Sequence, residues 1–239
     1  MKSELTINST YQEIFERISK LSTPLICDAL PNVRMMDTNI TSIGKKAQCI
    51  GRAYTVNSEQ DSLAIMQALD DLQPFLEQLN CLEHDVVPII LTVASYEAPH
   101  ALIGGMCTTV AEYKGFGGII SDGYCRDLNE IEISRLPVFA KGKFAKSGLK
   151  SRLGEIKVNI LCGGVQVKPG EIIFADSDGI LVMNKQEAIS ATLKAEEIKM
   201  KETDTLQKIQ AGAQFKQICN LDDHIDNLKN GKASKLELI

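Results

Sequence analysis

Two short stretches carry the residues best suited to chemistry. In the first, Gly104 and Gly105 stand side by side at a turn or helix start. Bare backbone there lets a ligand approach closely, and the N–H groups of a helix start favour an anion. On local sequence alone the pair reads more readily as turn punctuation or as close packing of a helix on a sheet. The second stretch, Ser121-Asp122-Gly123-Tyr124-Cys125-Arg126-Asp127-Leu128-Asn129-Glu130, follows a short apolar run. It predicts a strand ending at Ser121, a turn at Asp122-Gly123 and a helix starting near Arg126. Asp127 and Glu130 would then share one helix face, an oxygen-rich arrangement suited to hard cations such as Mg2+ or Mn2+. Arg126 offers a planar fork for a substrate carboxylate. Periodicity alone also allows a plainer reading, with Arg126 and Glu130 as a surface i, i+4 pair worth about 0.2–0.5 kcal/mol.

The elements that must position these residues are an alternation of strands and helices. Apolar runs predict strands over 49–56, 86–93, 117–121 and 136–140, with helices near 60–72 and 101–114. That order argues for an α/β core, and strand C-terminal ends in such folds are where ligand groups gather. Pro88 cannot donate to a ladder, so its strand begins there or lies at an edge. Thr10 to Glu13 reads as a capping box opening a helix with Ile14, Ile18 and Leu21 on one face. Thr23 and Pro24 suit the start of a second, short helix.

After Lys150 the pattern changes. Segments 155–160, 165–167, 171–175 and 180–183 are short and rich in β-branched residues. Gly163-Gly164, Pro169-Gly170 and Asp178-Gly179 separate them, which predicts hairpins in an antiparallel β layer. A charged helix from Lys185 to about Gly212 and a last helix over 220–230 follow. With no low-complexity linker and no internal repeat, we expect one domain over 1–239, its core about 14–212 and a helical tail over 213–239.

Bulk properties narrow the partners. Hydrophobic residues make up 44% and charged residues 24% of the 239, and the net charge is −5, an ordinary globular balance. No basic stripe marks a nucleic-acid footprint, and no apolar run reaches membrane-span length. The first residues lack the apolar segment of a signal peptide. Seven cysteines are scattered without a C-x-x-C pair, as expected of reduced thiols in a cytoplasmic protein.

Twenty residues separate Gly105 from Arg126, and Glu130 follows Asp127 after two more. This G-x20-R-D-x2-E/D spacing resembles the signature of the 4-hydroxy-4-methyl-2-oxoglutarate aldolases of the RraA-like family. LSTPLICDAL (21–30), GRAYTV (51–56), ALIGG (101–105), GIISDGYCRD (118–127), LPVFAKG (136–142) and PGEIIFADSDGILVM (169–183) resemble family segments in family order. The resemblance implies an α/β, ββα swivelling-domain fold of the phosphohistidine-domain kind with flanking N- and C-terminal helices, assembled as homotrimers or dimers of trimers. It implies a metal-dependent aldolase releasing pyruvate from a 2-oxo acid substrate, with oxaloacetate decarboxylation through the same enolate.

By that resemblance Asp127 anchors Mg2+ or Mn2+ and Arg126 faces the pyruvyl group. The backbone of Gly104, Gly105, Met106 and Cys107 receives the substrate carboxylate, and Glu130 belongs to the catalytic signature. Glu202 is the candidate for a glutamate supplied from a neighbouring C-terminal helix. One departure bears on the substrate: Ser95-Tyr96-Glu97-Ala98-Pro99-His100 stands where these aldolases carry an Asp-Gly-Gly loop. A lone loop His100 reads more readily as structural than as acid–base, and His84 and Lys168 have no evident partner. The alternative within the family is a non-catalytic protein that regulates ribonuclease E by protein contacts. The resemblance implies that such regulators carry another residue after the motif arginine, so Asp127 weighs against that role.

Overall fold

The computed structural model describes residues 5–59, 61–79, 88–95 and 100–237. In chain order the elements are α1 (Tyr11–Ile18), α2 (Thr23–Ala29), β1 (Arg34–Met35), β2 (Thr41–Ser42), β3 (Cys49–Glu59), α3 (Leu63–Asp70), α4 (Leu72–Gln78), β4 (Ile89–Ser95), β5 (Ala101–Ile103), α5 (Gly105–Lys114), β6 (Gly118–Ser121), β7 (Tyr124–Cys125), α6 (Leu128–Ile133) and β8 (Val138–Ala140). Then come β9 (Glu155–Ile156), β10 (Ile160–Cys162), β11 (Val165–Val167), β12 (Ile172–Ala175), β13 (Ile180–Met183), α7 (Lys185–Gln210), a 3-10 turn at Phe215–Gln217 and α8 (Leu221–Lys229). The chain forms two compact units, residues 1–192 and residues 193–239, with the boundary inside α7.

The first unit is built on a mixed sheet of nine described strands, ordered β1-β13-β12-β3-β4-β6-β8-β2, with β9 also on β3. Its centre, β3-β4-β6-β8, is parallel. Crossovers through α3–α4, α5 and α6 join these strands in turn. Both faces of the centre are covered. Ile89, Leu91 and Val93 point into a core shared with α3, α4 and α5, while Ile90 and Ala94 pack with Met36, Ile40, Ile160 and Val167. Two-sided burial is why β4, β6 and β8 read as largely apolar runs instead of alternating ones, whereas β3 carries half-buried Arg52 and Asn57.

Several expectations are sharpened or corrected. The capping box forms in full: Thr10 N–H donates to Glu13 at 2.8 Å and Glu13 N–H to Thr10 Oγ1 at 3.1 Å. At α2 the cap is Ser22, whereas Thr23 donates its N–H and hydroxyl to Asp176 at 2.7 and 2.6 Å. β4 begins at Ile89 beside Pro88 and is central, not an edge; the part of its expected range at 86–87 lies outside the described residues. The helix expected over 60–72 is, among its described residues, two helices, Leu63–Asp70 and one starting at Leu72, that meet at Asp71, and residues 101–103 are strand, not helix. The antiparallel hairpin β12–β13 does not form a separate layer. It joins the main sheet through β12 on β3, because Ile172, Ile173, Phe174 and Ala175 are all buried and need cover on both faces. Of the described strands after Lys150, β10 and β11, turning at Gly163-Gly164, stand as their own pair.

The second unit comprises the outer part of α7, the 3-10 turn and α8. Within it, Cys219 Sγ donates to Phe215 O at 3.1 Å. Among the described residues no helix is long and apolar enough to cross a membrane.

Candidate active site

The two motif stretches meet because two very short strands pair. β5 and β7 run parallel with Ala101 opposite Tyr124 and Ile103 opposite Cys125. The Arg126 N–H continues that ladder to Ile103 O at 2.9 Å. Gly104-Gly105 is thereby set directly against Arg126-Asp127, at the C-terminal side of the parallel strands.

Gly104 is the N-cap of α5 and has no side chain to satisfy the first turn. The Gly105 N–H is instead taken by Oδ2 of Asp127 at 3.1 Å. By position the Met106 and Cys107 N–H groups have no partner within the helix, so α5 presents donors and the positive end of its dipole to a ligand. The glycines are required by space. A Cβ on Gly104 would lie 2.8 Å from Asp127 Oδ2, and one on Gly105 would lie 2.6 Å from Glu130 Cβ. Close packing and ligand access, alternatives at the level of sequence, are both properties of this pair.

Asp127 is not on the helix face that the spacing suggests. It is the N-cap of α6, held at φ 60° and ψ 50° in the left-handed region, while Glu130 lies in the first turn against Gly105. Both side chains nonetheless approach Gly105, where an added Cβ would lie 2.6 Å from Glu130 Cβ and 3.3 Å from Asp127 Cβ. A non-glycine residue in that region costs roughly 1–2 kcal/mol, although Asp bears it better than most. Such an outlier, kept in place by neighbouring bonds, is the kind found at functional sites.

Arg126 Nε lies 3.5 Å from Asp127 Oδ2, with the two side chains 41% and 39% exposed. At that exposure the ion pair is worth about 0–1 kcal/mol, so it does not prevent either group from engaging a ligand. Arg126 pairs with Asp127 here, in place of the i, i+4 partner Glu130. Both residues line a cavity of about 350 Å3 between α3, α5 and the 147–150 loop. They also border a second cavity of about 300 Å3 beside Lys143 and Phe144.

Cys107 lines the larger cavity, but burial pushes its thiol up to about 12 despite a hydrogen bond from the Gly104 backbone. A thiol so raised is not a thiolate nucleophile near neutral pH. The loop at the far side of the cavity is fixed by Asp61. Its carboxylate accepts the N–H groups of Ser151, Arg152 and Leu63 at 2.5, 2.6 and 2.9 Å. Burial alone would raise this carboxyl, yet the donors outweigh burial and hold it below its ordinary value. Asp61 is a site-building residue that sequence reading misses, because its bonds reach about 90 residues along the chain.

Asp122 has a structural task. Its Oδ2 accepts Gly163 N–H at 2.9 Å and its Oδ1 pairs with Lys141 Nζ, tying the turn after β6 to the β10–β11 hairpin. His100 Nδ1 is buried and has no hydrogen-bond partner among the described residues. Lys168 lies beside Glu171, which accepts its backbone N–H at 2.8 Å. Glu202 is an exposed residue of α7 in the second unit. Residues 96–99 and His84 lie outside the described residues.

Among the described residues no three His, Cys, Asp or Glu side chains gather closely enough to enclose a metal ion. What this chain offers is one half-exposed carboxylate, with Oδ2 of Asp127 already engaged by Gly105 and Arg126. That donor set fits Mg2+, which keeps several waters and binds through one or two carboxylates plus substrate oxygens. It does not fit a closed, all-protein site.

The family model described as "RraA-like: Aldolase/RraA" matches residues 23–182, well over half of the chain. The chain is 34% identical over 137 residues to an uncharacterised protein of Methanocaldococcus jannaschii. That match covers 57% of this chain and 65% of the other, slightly under two thirds of its length. It is 32% identical over 164 residues to a Hahella chejuensis protein named "Putative 4-hydroxy-4-methyl-2-oxoglutarate aldolase", covering 68% of this chain and 93% of that one. Among solved structures, the RNA-processing inhibitor RraA from Thermus thermophilis is similar with a TM-score of 0.57 and 26% identity, over 68% of this chain and 92% of that one.

Proposed function

We propose a function from the premise that the chain belongs to the RraA-like family: it is a divalent-metal-dependent lyase that releases pyruvate from 4-hydroxy-2-oxo acids and from oxaloacetate. The observation that carries this reading is the convergence of the α5 N-terminus, the Arg126 guanidinium and the Asp127 carboxylate on one cavity. The names of relatives such as the Hahella protein support an aldolase in general terms.

Cleavage breaks the C3–C4 bond and leaves its electron pair on the enolate of pyruvate. The C4 hydroxyl loses its proton and C4 becomes a carbonyl, while C3 takes up a proton, so no oxidant or reductant is needed. Decarboxylation of oxaloacetate delivers the same enolate with CO2 as the other product. In this reading the Met106 and Cys107 N–H groups receive the substrate carboxylate. Arg126 supplies fixed positive charge where the 2-oxo oxygen becomes an oxyanion. Asp127 would hold Mg2+ or Mn2+, and a bound cation would supply Lewis-acid chemistry to the developing enolate. Gly104 and Gly105 give the backbone its close approach, and Glu130 packs beneath them.

We further assign Glu202 to the site of a neighbouring copy in a homotrimer, and the protein to the cytoplasm, where the free thiols among its described residues stay reduced. The test is a coupled pyruvate assay on oxaloacetate and 4-hydroxy-2-oxo acids, with and without chelator. Chelator-sensitive pyruvate release is expected. Its absence on every such substrate overturns the enzyme reading and favours the second one, an inhibitor of RNA processing like the Thermus protein.

A further inference from the structure

We infer that the basic strap formed by residues 141–152 is an electrostatic guide that draws doubly charged 2-oxo acids to the Arg126–Asp127 site. The inference rests on the pyruvate-releasing reading and adds how the site discriminates among substrates: by their total charge, before contact is made.

Between Glu132 and Glu155 the sequence contains no Asp or Glu, yet it holds six of the 26 Lys and Arg of a chain whose net charge is −5. Five of the six, Lys141, Lys143, Lys146, Lys150 and Arg152, fall on the strap. Backbone bonds fix its course. Cys125 N–H donates to Gly142 O at 2.9 Å, and Phe144 N–H donates to Cys125 O at 2.8 Å. Ala101 N–H donates to Lys146 O and Gly148 N–H to Ala101 O, both at 2.8 Å. Ser62 N–H then reaches Leu149 O at 2.9 Å, and the Asp61 carboxylate holds the Ser151 and Arg152 N–H groups. The strap thus passes β7, β5 and the start of α3 in turn, alongside the elements that assemble the site.

These bonds use main-chain atoms and leave the cationic side chains to solvent. Lys143, Lys146, Lys150 and Arg152 are exposed, and none has an ion-pair partner among the described residues. Lys150 lines the larger cavity and Lys143 the second one. The acids that line the cavities are already balanced: Asp70 lies beside Lys114 and Asp127 beside Arg126. Asp122 likewise takes Lys141, and Asp61 beneath the strap offsets one more cation. The mouth of both cavities therefore stays positive on a protein that is negative as a whole. Such a field concentrates anions, with an effect that grows with ligand charge and fades with salt. Oxaloacetate, with two carboxylates, responds more strongly than a 4-hydroxy-2-oxo acid with one.

The experiment measures kcat/KM of the full chain for oxaloacetate and for 4-hydroxy-2-oxopentanoate at fixed Mg2+. Ionic strength is raised from about 0.01 M to about 0.15 M, which shortens the screening length from about 30 Å to about 8 Å. For oxaloacetate kcat/KM should fall several-fold while kcat holds, with a logarithmic slope about twice that of the monoanion, in proportion to charge. Lys146→Gln combined with Arg152→Gln supplies the contrast, because neither residue lines either cavity. This double variant should lose up to about tenfold in kcat/KM for oxaloacetate at low salt, the low end of what steering fields supply. It should match wild type at high salt, and the charge-conserving pair Lys146→Arg with Arg152→Lys should match it throughout. Equal salt slopes for the two substrates, or a loss that persists at high salt, overturn the inference and leave the enzyme reading intact. So does salt-sensitive binding of a single-stranded RNA oligomer that the double variant loses while its kinetics stay wild-type, which would make the strap a phosphate-backbone surface. If neither substrate yields pyruvate at any ionic strength, the pyruvate-releasing reading falls and takes this inference with it.

Discussion

The Gly105 amide donates to Asp127 Oδ2 at 3.1 Å, joining the start of one helix to the cap of the next. A carboxylate facing an uncapped helix N-terminus is stabilised by the dipole, and this one also adjoins Arg126. Replacing Asp127 by Asn keeps an acceptor for Gly105 and a residue type tolerant of positive φ, but removes the charge. Asp127→Asn should lower chelator-sensitive pyruvate release by about a hundredfold or more, a loss of the size seen when one charge-stabilising group is removed. The melting temperature and oligomer size should stay at the wild-type values. Full metal-stimulated turnover in this variant would remove Asp127 from the metal.

Arg126→Lys keeps the positive charge and loses the planar fork. If the fork orients the pyruvyl unit, kcat/KM should drop by at least about tenfold, with the shortfall mainly in kcat because the oxyanion develops in the transition state. Steady-state kinetics on oxaloacetate decide this, and equal activity of the lysine variant would refute it.

Gly105→Ala should destabilise the fold by about 1–3 kcal/mol through overpacking, since the new Cβ meets Glu130 Cβ at 2.6 Å. Glu130→Gly alone should cost about 1 kcal/mol as a helix glycine. Because the two residues touch, the double variant should be more stable than the sum of the singles implies. Urea unfolding of all four proteins measures this coupling, and strict additivity would show that the clash is relieved elsewhere.

Asp61 supplies a pH dependence whose sign is fixed. Its folded carboxyl lies below the ordinary carboxylate value because three backbone donors outweigh burial. Its stabilising contribution is thus present above the unfolded pKa, about 3.9, and is lost as pH falls from there through the folded value. Asp61→Asn should be less stable than wild type at pH 7, by about 1–3 kcal/mol for lost bonds to a charged acceptor. The gap should narrow at pH 3. A gap that is constant between the two pH values would contradict the clamp.

Lys141→Met removes one partner of a pair whose side chains are 25% and 10% exposed. Leaving Asp122 without its cation should cost about 3 kcal/mol, the lower end for broken buried pairs because Lys141 is partly solvated. Adding Asp122→Asn should recover part of the loss. Thermal melts of the single and double variants provide the check, and no recovery would mean that Lys141 acts through other contacts.

How much of this was readable in the sequence depended on element length. β4, β6 and β8 are buried on both faces and show as largely apolar runs. β5 and β7, three and two residues long, carry no usable periodicity, so residues 101–103 merge with the following helix in a sequence reading. The same limit hides why Gly104-Gly105 and Arg126-Asp127 meet. Spacing brings Asp127 and Glu130 to mind as a helical pair, but the left-handed conformation of Asp127 is set by its tertiary bonds. The Asp61 clamp is long-range and leaves no local pattern. Family resemblance pointed to these two stretches, and the short β5–β7 pairing is what brings them together.

The pairing of β5 with β7 also changes what the twenty-residue interval means. That interval is the contour of one helix, one strand and their turns, beginning and ending on a fixed two-strand ladder. Gly115, at the turn leaving α5, has open space around it, so a residue inserted there would lengthen the count without moving either ladder strand. Relatives that drifted in this way would keep the same site geometry and escape any search tied to a constant interval. Homology across such sequences is better traced through the ladder than through the number.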